Sequence, residues 1–421
     1  MSDTIYALSS GQPPAAIALV RISGPAADFA LRTLAGHLPE PRVATLARLH
    51  WKGELLDNAL VLRFRGPNSA TGEDVAELHL HGGRSVVAAT LAALSEVDGL
   101  RPAAPGEFTR RAFEQGRIDL AEAEGLADLL EAETESQRRN ALLLAGGALS
   151  RQVESWQQRL LQLAGQVEAA LDFSDEDDVA PLTPTFAVEW TALREELAEW
   201  LRRPAAERLK DGVRVVIAGP PNAGKSSLLN VLAGREAAIT AASPGTTRDV
   251  IEIPLALAGT PFLLADTAGL RETTDEVETI GVVRARTIIE AADLILWLGD
   301  PRLAPPGAIR VHAKADLGSP AAEVDVQVSA RTGAGLDELV RLMIHHSSRL
   351  LPREGEVSLN ARQRGLIEVV EQALGEADGE SDLLILSEAL RGALKAVDRI
   401  TGRAGVEDML DTLFERFCIG K

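Results

Sequence analysis

The octapeptide GPPNAGKS at residues 219–226 limits what this chain can fold into more than any other stretch. It satisfies the pattern G-x-x-x-x-G-K-[ST], and its flanks supply the context that the pattern needs. An apolar run, Val213 to Ala218, precedes it, and a helical run, SLLNVLAG, follows it. Gly219 and Gly224 let the backbone curl so that its N–H groups face phosphate oxygens. The N-terminus of the following helix adds its dipole. Lys225 is placed to reach the β- and γ-phosphates, and the Ser226 hydroxyl to ligate magnesium. The bland alternative, a Gly-rich turn before an ordinary helix, is disfavoured by this strand–loop–helix setting.

Composition excludes several other classes. A net charge of −19 argues against a nucleic-acid binder acting alone, because phosphate contacts need clustered Lys and Arg. Tyr6 is the single tyrosine and aromatics are scarce, which disfavours a base-stacking platform. A nucleic-acid role would need a local basic patch or a basic partner. Cys418 is the only cysteine, so an internal disulfide is excluded and a reducing compartment is favoured. No apolar run reaches the roughly 18 residues needed to span a bilayer. The segment MSDTIYALSS has no basic region followed by an apolar core. The expectation is a cytoplasmic protein without membrane contact.

The hydrophobic period changes along the chain. The first 115 or so residues mix short apolar runs with turns and read as α+β, with strands near 15–22, 59–65 and 75–80. From about 119 the pattern is helical. Leu142, Leu149, Val153, Trp156, Leu160, Leu163, Val167 and Leu171 share one helix face, which the acidic segment DFSDEDD (172–178) terminates. From about 211, VRVVIAG, FLLADTAG, LILWLGD, IRVHAKAD and VDVQVSA read as strands of a parallel sheet, most separated by helical stretches. Beyond about 350 the chain is helical again, with Leu386, Leu390, Ala393, Leu394 and Val397 on one face. The economical architecture is an α/β domain inserted into a helical domain whose halves pack together.

Companion motifs follow the phosphate loop in order. GTTRD (245–249) offers Thr247 as a second magnesium ligand. DTAG (266–269) closes a strand, so Asp266 can reach the magnesium shell and the Gly269 N–H the γ-phosphate. AKAD (313–316) and SART (329–332) each follow a strand. This order resembles the five motifs of GTPases, in which the Asp of N-K-x-D pairs with guanine N1 and N2. Lys314 and Asp316 match, so the nucleotide expected is GTP. The expected pocket takes Asn222, Ala223, Gly224, Lys225, Ser226 and Ser227 from the phosphate loop. Ala241, Thr246 and Thr247 come from the next segment, then Asp266, Thr267, Ala268 and Gly269. Lys314, Asp316, Ser329, Ala330 and Arg331 surround the base.

Departures from the pattern carry expectations of their own. Ala313 stands where the motif has Asn, which predicts weakened base binding. Only PRLAPPGA (301–308) joins two expected parallel strands, where a crossover normally takes a dozen or more residues. The crossover helix should be missing and that face of the sheet partly uncovered. Leu270 replaces the water-orienting Gln that follows D-x-x-G in Ras-type enzymes. Nearby acids are Glu272, Asp275, Glu276 and Glu278, each read from pattern alone as solvated surface charge. Asn222 is either a polar filler or a ligand for a monovalent cation beside the phosphates, which would supply the charge of an arginine finger.

Together these residues resemble the MnmE (TrmE) family of bacterial tRNA modification GTPases over essentially the whole chain. The resemblance is carried by DTI, LVRISGP (19–25), PNSATGEDVAELHLHGG (67–83), PGEFTRRAF (105–113), DLAEAEGLADL (119–129), SPGTTRD, DTAGLRE and the terminal FCIGK (417–421). It implies a multidomain protein: an α+β folate-binding and dimerising domain (1–116), an all-α helical domain in two parts (117–208 and 349–421), and an inserted Ras-like α/β P-loop G domain (209–348). It implies potassium-dependent pairing of two G domains during GTP hydrolysis. Asn222 and Thr246, with carbonyls near Ala241 and Ser243, carry over as potassium ligands, and Ser226 and Thr247 as magnesium ligands. Glu278 carries over as the acid that positions water, with Lys225 as the other catalytic group. Arg21, Glu77, Arg117 and Lys421 carry over as contacts to a tetrahydrofolate derivative, either 5-formyl or 5,10-methylene. Arg117 stands where the family's best-known form has Lys.

The resemblance further implies a homodimer through the N-terminal domain and a heterotetramer with an FAD-dependent tRNA modification partner. The joint product is an aminomethyl or carboxymethylaminomethyl group at C5 of the wobble uridine of certain tRNAs. Cys418 lies in the C-terminal motif and is carried as a folate-site residue without a nucleophilic role. His79 and His81 alternate on an expected strand and read as packing or surface residues, since no third ligand lies nearby. Two other readings remain: a regulatory GTPase of ribosome assembly, and a scaffold whose G domain has decayed. The N-terminal motifs and FCIGK oppose the first. The intact Lys225, Ser226, Thr247, Asp266 and Glu278 oppose the second.

Overall fold

A computed structural model describes residues 3–172, 182–235, 252–266, 292–320, 322–353, 355–404 and 407–420. The chain divides into two compact units, Met1–Ala127 with Thr401–Lys421, and Asp128–Ile400.

The first unit is built on a six-stranded sheet. Its strands are β1 (Thr4–Leu8), β2 (Ile17–Ser23), β3 (Thr45–Trp51), β4 (Glu54–Phe64), β5 (Val75–His81) and β6 (Leu100–Pro102). Their order is β3-β4-β5-β2-β1-β6, antiparallel except where β6 joins β1. Alternation along IALVRIS sends Ala18, Val20 and Ile22 into a core shared with helices Ala27–Ala35 and Arg84–Ser95. Arg21 and its cross-strand partner Glu77 fall on the opposite face. The sequence reading missed β1, β3 and β6 and began β4 five residues late, at 59 instead of 54. In β3 the alternation of TLARLHW breaks at its start, where apolar Leu46 is exposed beside buried Ala47, and pairing with β4 sets the strand.

The boundary between units follows packing. Leu120, Ala123 and Ala127 share a core with Leu410, Leu413, Phe414 and Phe417. The first helix after residue 117 and the last twenty or so residues therefore belong to the first unit.

In the second unit, helices drawn from before and after the nucleotide domain pack on each other. The Trp190 indole, on helix Pro184–Arg202, donates to the Leu374 carbonyl on helix Ala361–Glu376 at 3.1 Å. Arg194 pairs with Glu371 and Asp378. Gln157 reaches Asp398 across to helix Leu383–Thr401 at 2.5 Å. The expected long helix face requires one correction. Helix Glu135–Ala145 ends at Gly146–Gly147 and a second helix runs Ala148–Asp172. Leu142 is consequently exposed, while Leu149, Val153, Trp156, Leu160, Leu163 and Val167 are buried. Emptying the fully buried Trp156 site would cost about 3–5 kcal/mol.

The nucleotide-domain sheet comprises β7 (Val213–Ala218), β8 (Glu252–Leu257), β9 (Thr260–Asp266), β10 (Leu294–Trp297), β11 (Ile309–His312) and β12 (Val326–Gln327). Its order is β12-β11-β10-β7-β9-β8. All neighbours are parallel except β8, an antiparallel edge strand absent from the sequence reading. Val213, Val215 and Ile217 pack toward helices Lys225–Arg235 and Leu336–Ser347. The crossover from β10 to β11 contains only the 3-10 turn Pro301–Leu303 and no α-helix. Trp297 folds over that connection, its indole donating to the Asp300 carbonyl at 2.9 Å. On that side of the sheet Val216, Ala218 and Ala265 are buried, whereas Ile295 and Trp297 are only partly covered.

Candidate nucleotide site and a second motif cluster

Five parallel strands end on one edge of the second unit's sheet, and the nucleotide motifs follow their carboxyl ends. The phosphate loop leaves β7 at Gly219 (φ 147°) and passes through Asn222 (φ 60°) and Gly224 (φ 101°). It then enters helix Lys225–Arg235. The positive φ values turn the loop back on itself. The Lys225 ammonium is buried inside the curl, donating to the carbonyls of Gly219 at 3.0 Å and Pro220 at 2.9 Å. Ala223 N–H closes a turn onto Pro220 at 3.3 Å. Ser226 and Ser227 sit exposed on the first helical turn. Asp266 ends β9 opposite Ile217 of β7, which brings the two motif-bearing strand ends side by side.

The base loop lies against this curl. The Lys314 ammonium donates to the Asn222 carbonyl at 2.7 Å. Ala313 is partly buried, close to Gly224. Lys314 thus joins the base loop to the phosphate loop although Ala313 stands at the Asn position. Asp316 accepts from the buried Ser329 hydroxyl at 2.7 Å, and Arg331 pairs with its other oxygen at 2.8 Å. The Ser329 hydroxyl holds the Asp316 carboxyl below the usual aspartate range, overcoming partial burial, and Arg331 adds to the effect. Lys314 and Ser329 also bridge through their backbones. Ala330 is partly buried beside them. The contacts Lys314–Asn222 and Arg331–Asp316 were not legible in the sequence, because nothing in residue spacing states which side chains meet across loops.

Ala241, Ser243, Thr246, Thr247, Thr267, Ala268, Gly269, Glu278 and Lys421 lie outside the described residues.

In the first unit Arg21 and Glu77, opposite in register, form an ion pair at 2.9 Å. The Arg21 guanidinium lies 5.8 Å from the Phe108 ring centroid. Arg117 is exposed, its side chain against Gly72, and no hydrogen bond or ion pair among the described residues links it to Arg21 or Glu77. Cys418 is an exposed free thiol between buried Phe417 and exposed Ile419, which bridges Pro105. His79 lies 3.7 Å from Glu77, and His81 pairs with Asp57 at 2.7 Å. No group of metal-ligating side chains of the size a metal site needs occurs among the described residues. None of their helices is long and apolar enough to cross a membrane.

A phosphate loop closed around its lysine, abutted by a Lys-x-Asp base loop at the carboxyl ends of parallel strands, defines a P-loop GTPase. Residues 4–117 match the family described as the GTP-binding protein TrmE N-terminus, and residues 120–418 match the MnmE helical domain. A tRNA modification GTPase MnmE of Rhizorhabdus wittichii is 61% identical, covering 100% of this chain and 97% of its own. The protein of that name from Novosphingobium aromaticivorans is 55% identical, with 100% of both chains covered. Among solved structures, the G domain of the T. maritima FeoB iron transporter is 27% identical over 32% of this chain and 98% of its own, with a TM-score of 0.23. The chain belongs to the MnmE family of tRNA modification GTPases, and is a GTP hydrolase of that family.

Proposed function

We propose that this chain is a potassium-activated GTPase that acts with a flavin-dependent partner on C5 of the wobble uridine of certain tRNAs. The observation that carries the nucleotide half of this reading is the buried Lys225 ammonium, held inside the phosphate loop beside the Lys314–Asp316 base loop. Lys225 would exchange its loop carbonyls for phosphate oxygens, and Asp316 would accept the N1 and N2 donors of guanine. Exposed oxygen ligands at Asn222 and Ser226 fit hard cations. Ser226 with Thr247 would hold magnesium. Asn222 and Thr246, with the carbonyls of Ala241 and Ser243, would hold potassium. Bound there, the cations supply positive charge against the phosphates. Glu278 would orient the attacking water.

In the first unit we assign Arg21, Glu77, Arg117 and Lys421 to a reduced folate, with Cys418 nearby. The Arg21–Glu77 pair offers both a donor fork and a carboxylate to a ligand rich in amide and carboxylate groups. The folate would supply the one-carbon unit. The division 1–116, 117–208, 209–348 and 349–421, a homodimer through the first domain, and work in the cytoplasm on tRNA belong to the same proposal. The acidic charge fits a partner that provides most of the tRNA contact.

GTP turnover in potassium against sodium, at equal ionic strength and saturating nucleotide, tests this reading. Stimulation by potassium that Asn222→Ala abolishes is the expected result. Equal, negligible turnover in both salts would remove potassium activation.

A further inference from the structure

Asp316 is not an open acceptor in this structure. One carboxylate oxygen takes the Ser329 hydroxyl at 2.7 Å, and the other faces the Arg331 guanidinium at 2.8 Å. The two contacts differ in kind. Ser329 is fully buried, and its hydroxyl also receives the Thr332 N–H at 3.2 Å, so it is fixed in place. Among the described residues Arg331 is held at its tip, with 73% of its side chain exposed while Asp316 keeps 15%. Hydrogen bonds from Ser329 N–H to Ala334 O and from Gly333 N–H to Ser329 O close the turn that sets Arg331 beside the carboxylate.

The chemistry of the arginine matches that of the ligand. The N1–C2–N2 edge of guanine is itself a guanidine fragment, with in-plane N–H donors suited to a carboxylate. A guanidinium presents the same fork. We propose that Arg331 is a placeholder for the base: it competes with guanine for the Asp316 carboxylate and must swing out before guanine is read. This rests on the assignment of Asp316 as the guanine acceptor. Because the pair is exposed on the arginine side, the competition is weak, and Arg331 is the partner that leaves. Its effect is to lower guanine-nucleotide affinity and favour exchange.

The test is the dissociation constant of GDP for the full-length protein, by titration calorimetry, for wild type, Arg331→Ala and Asp316→Ala. An exposed ion pair predicts that Arg331→Ala binds GDP about two- to fivefold more tightly than wild type. A purely structural role for Arg331 would give weaker binding, never tighter. Unchanged or weaker binding by Arg331→Ala, with binding lost in Asp316→Ala, overturns the placeholder and leaves the base site standing. Undiminished binding by Asp316→Ala overturns both, because the base is then read elsewhere.

Discussion

The Lys314 ammonium donates to the Asn222 carbonyl oxygen at 2.7 Å, joining the base loop to a phosphate loop 92 residues earlier in the chain. This charged hydrogen bond, beside the Ala313 contact with Gly224, ties the two loops together. Lys314→Ala should weaken GDP binding by about fivefold, the scale of one exposed charge-assisted bond, measured by calorimetry. An unchanged affinity would mean that backbone packing alone sets the spacing.

Lys225 occupies the cavity of the phosphate loop, bonded to the Gly219 and Pro220 carbonyls. If it serves the phosphates as proposed, through its charge, Lys225→Ala should lower GTP turnover by at least ~10²-fold. Phosphate release reads the rate, and circular dichroism establishes that the variant is folded. Turnover near wild type would show that another cation serves the phosphates.

Gly335, with φ 74°, begins helix Leu336–Ser347 directly beneath the SART turn. A methyl group there would clash with the Gln327 carbonyl oxygen and add strain at a positive φ. Gly335→Ala should destabilise the nucleotide domain by about 3 kcal/mol and displace Ser329 from Asp316. Urea unfolding and GDP titration check both effects. A stability within error of wild type would show that the turn relaxes freely.

Arg111, buried in the first unit, joins Asp3, Glu73 and Glu107, and Arg101 joins Asp3 and Glu107. Arg101 holds the Asp3 carboxyl below its ordinary 3.8. Burial pushes Glu107 up, but Arg101, the Ala104 N–H and Arg111 together bring it below its ordinary 4.5. The folded state therefore stays ionised where the unfolded chain takes up protons. This stabilisation is complete above the unfolded values and is lost as pH falls through the depressed folded ones. Glu107→Gln should flatten the acid limb of the stability curve below about pH 5, followed by thermal melts. A limb as steep as that of wild type would place the titration elsewhere.

The helix faces 149–167 and 386–397, the strand at 213–218 and the missing crossover helix were legible in sequence. Each is a local matter of period, propensity or connection length. Errors arose where tertiary pairing decides. Leu142 fits the helical period of the residues after it, yet Gly146–Gly147 ends its helix and leaves it exposed. Strands β3 and β8 take their identity from hairpin partners rather than from their own composition.

The sequence by itself determined the phosphate loop, the order of the nucleotide motifs and the family, because glycine conformation, the lysine charge and strand–loop–helix context are local properties. Only the tertiary structure decided that Lys314 meets the Asn222 carbonyl and that Arg331 pairs with Asp316. It also decided that the last helix packs with residues 120–127. These are meetings of side chains far apart in the chain, set by how parallel strands deliver their loops to one edge and by which apolar faces find each other.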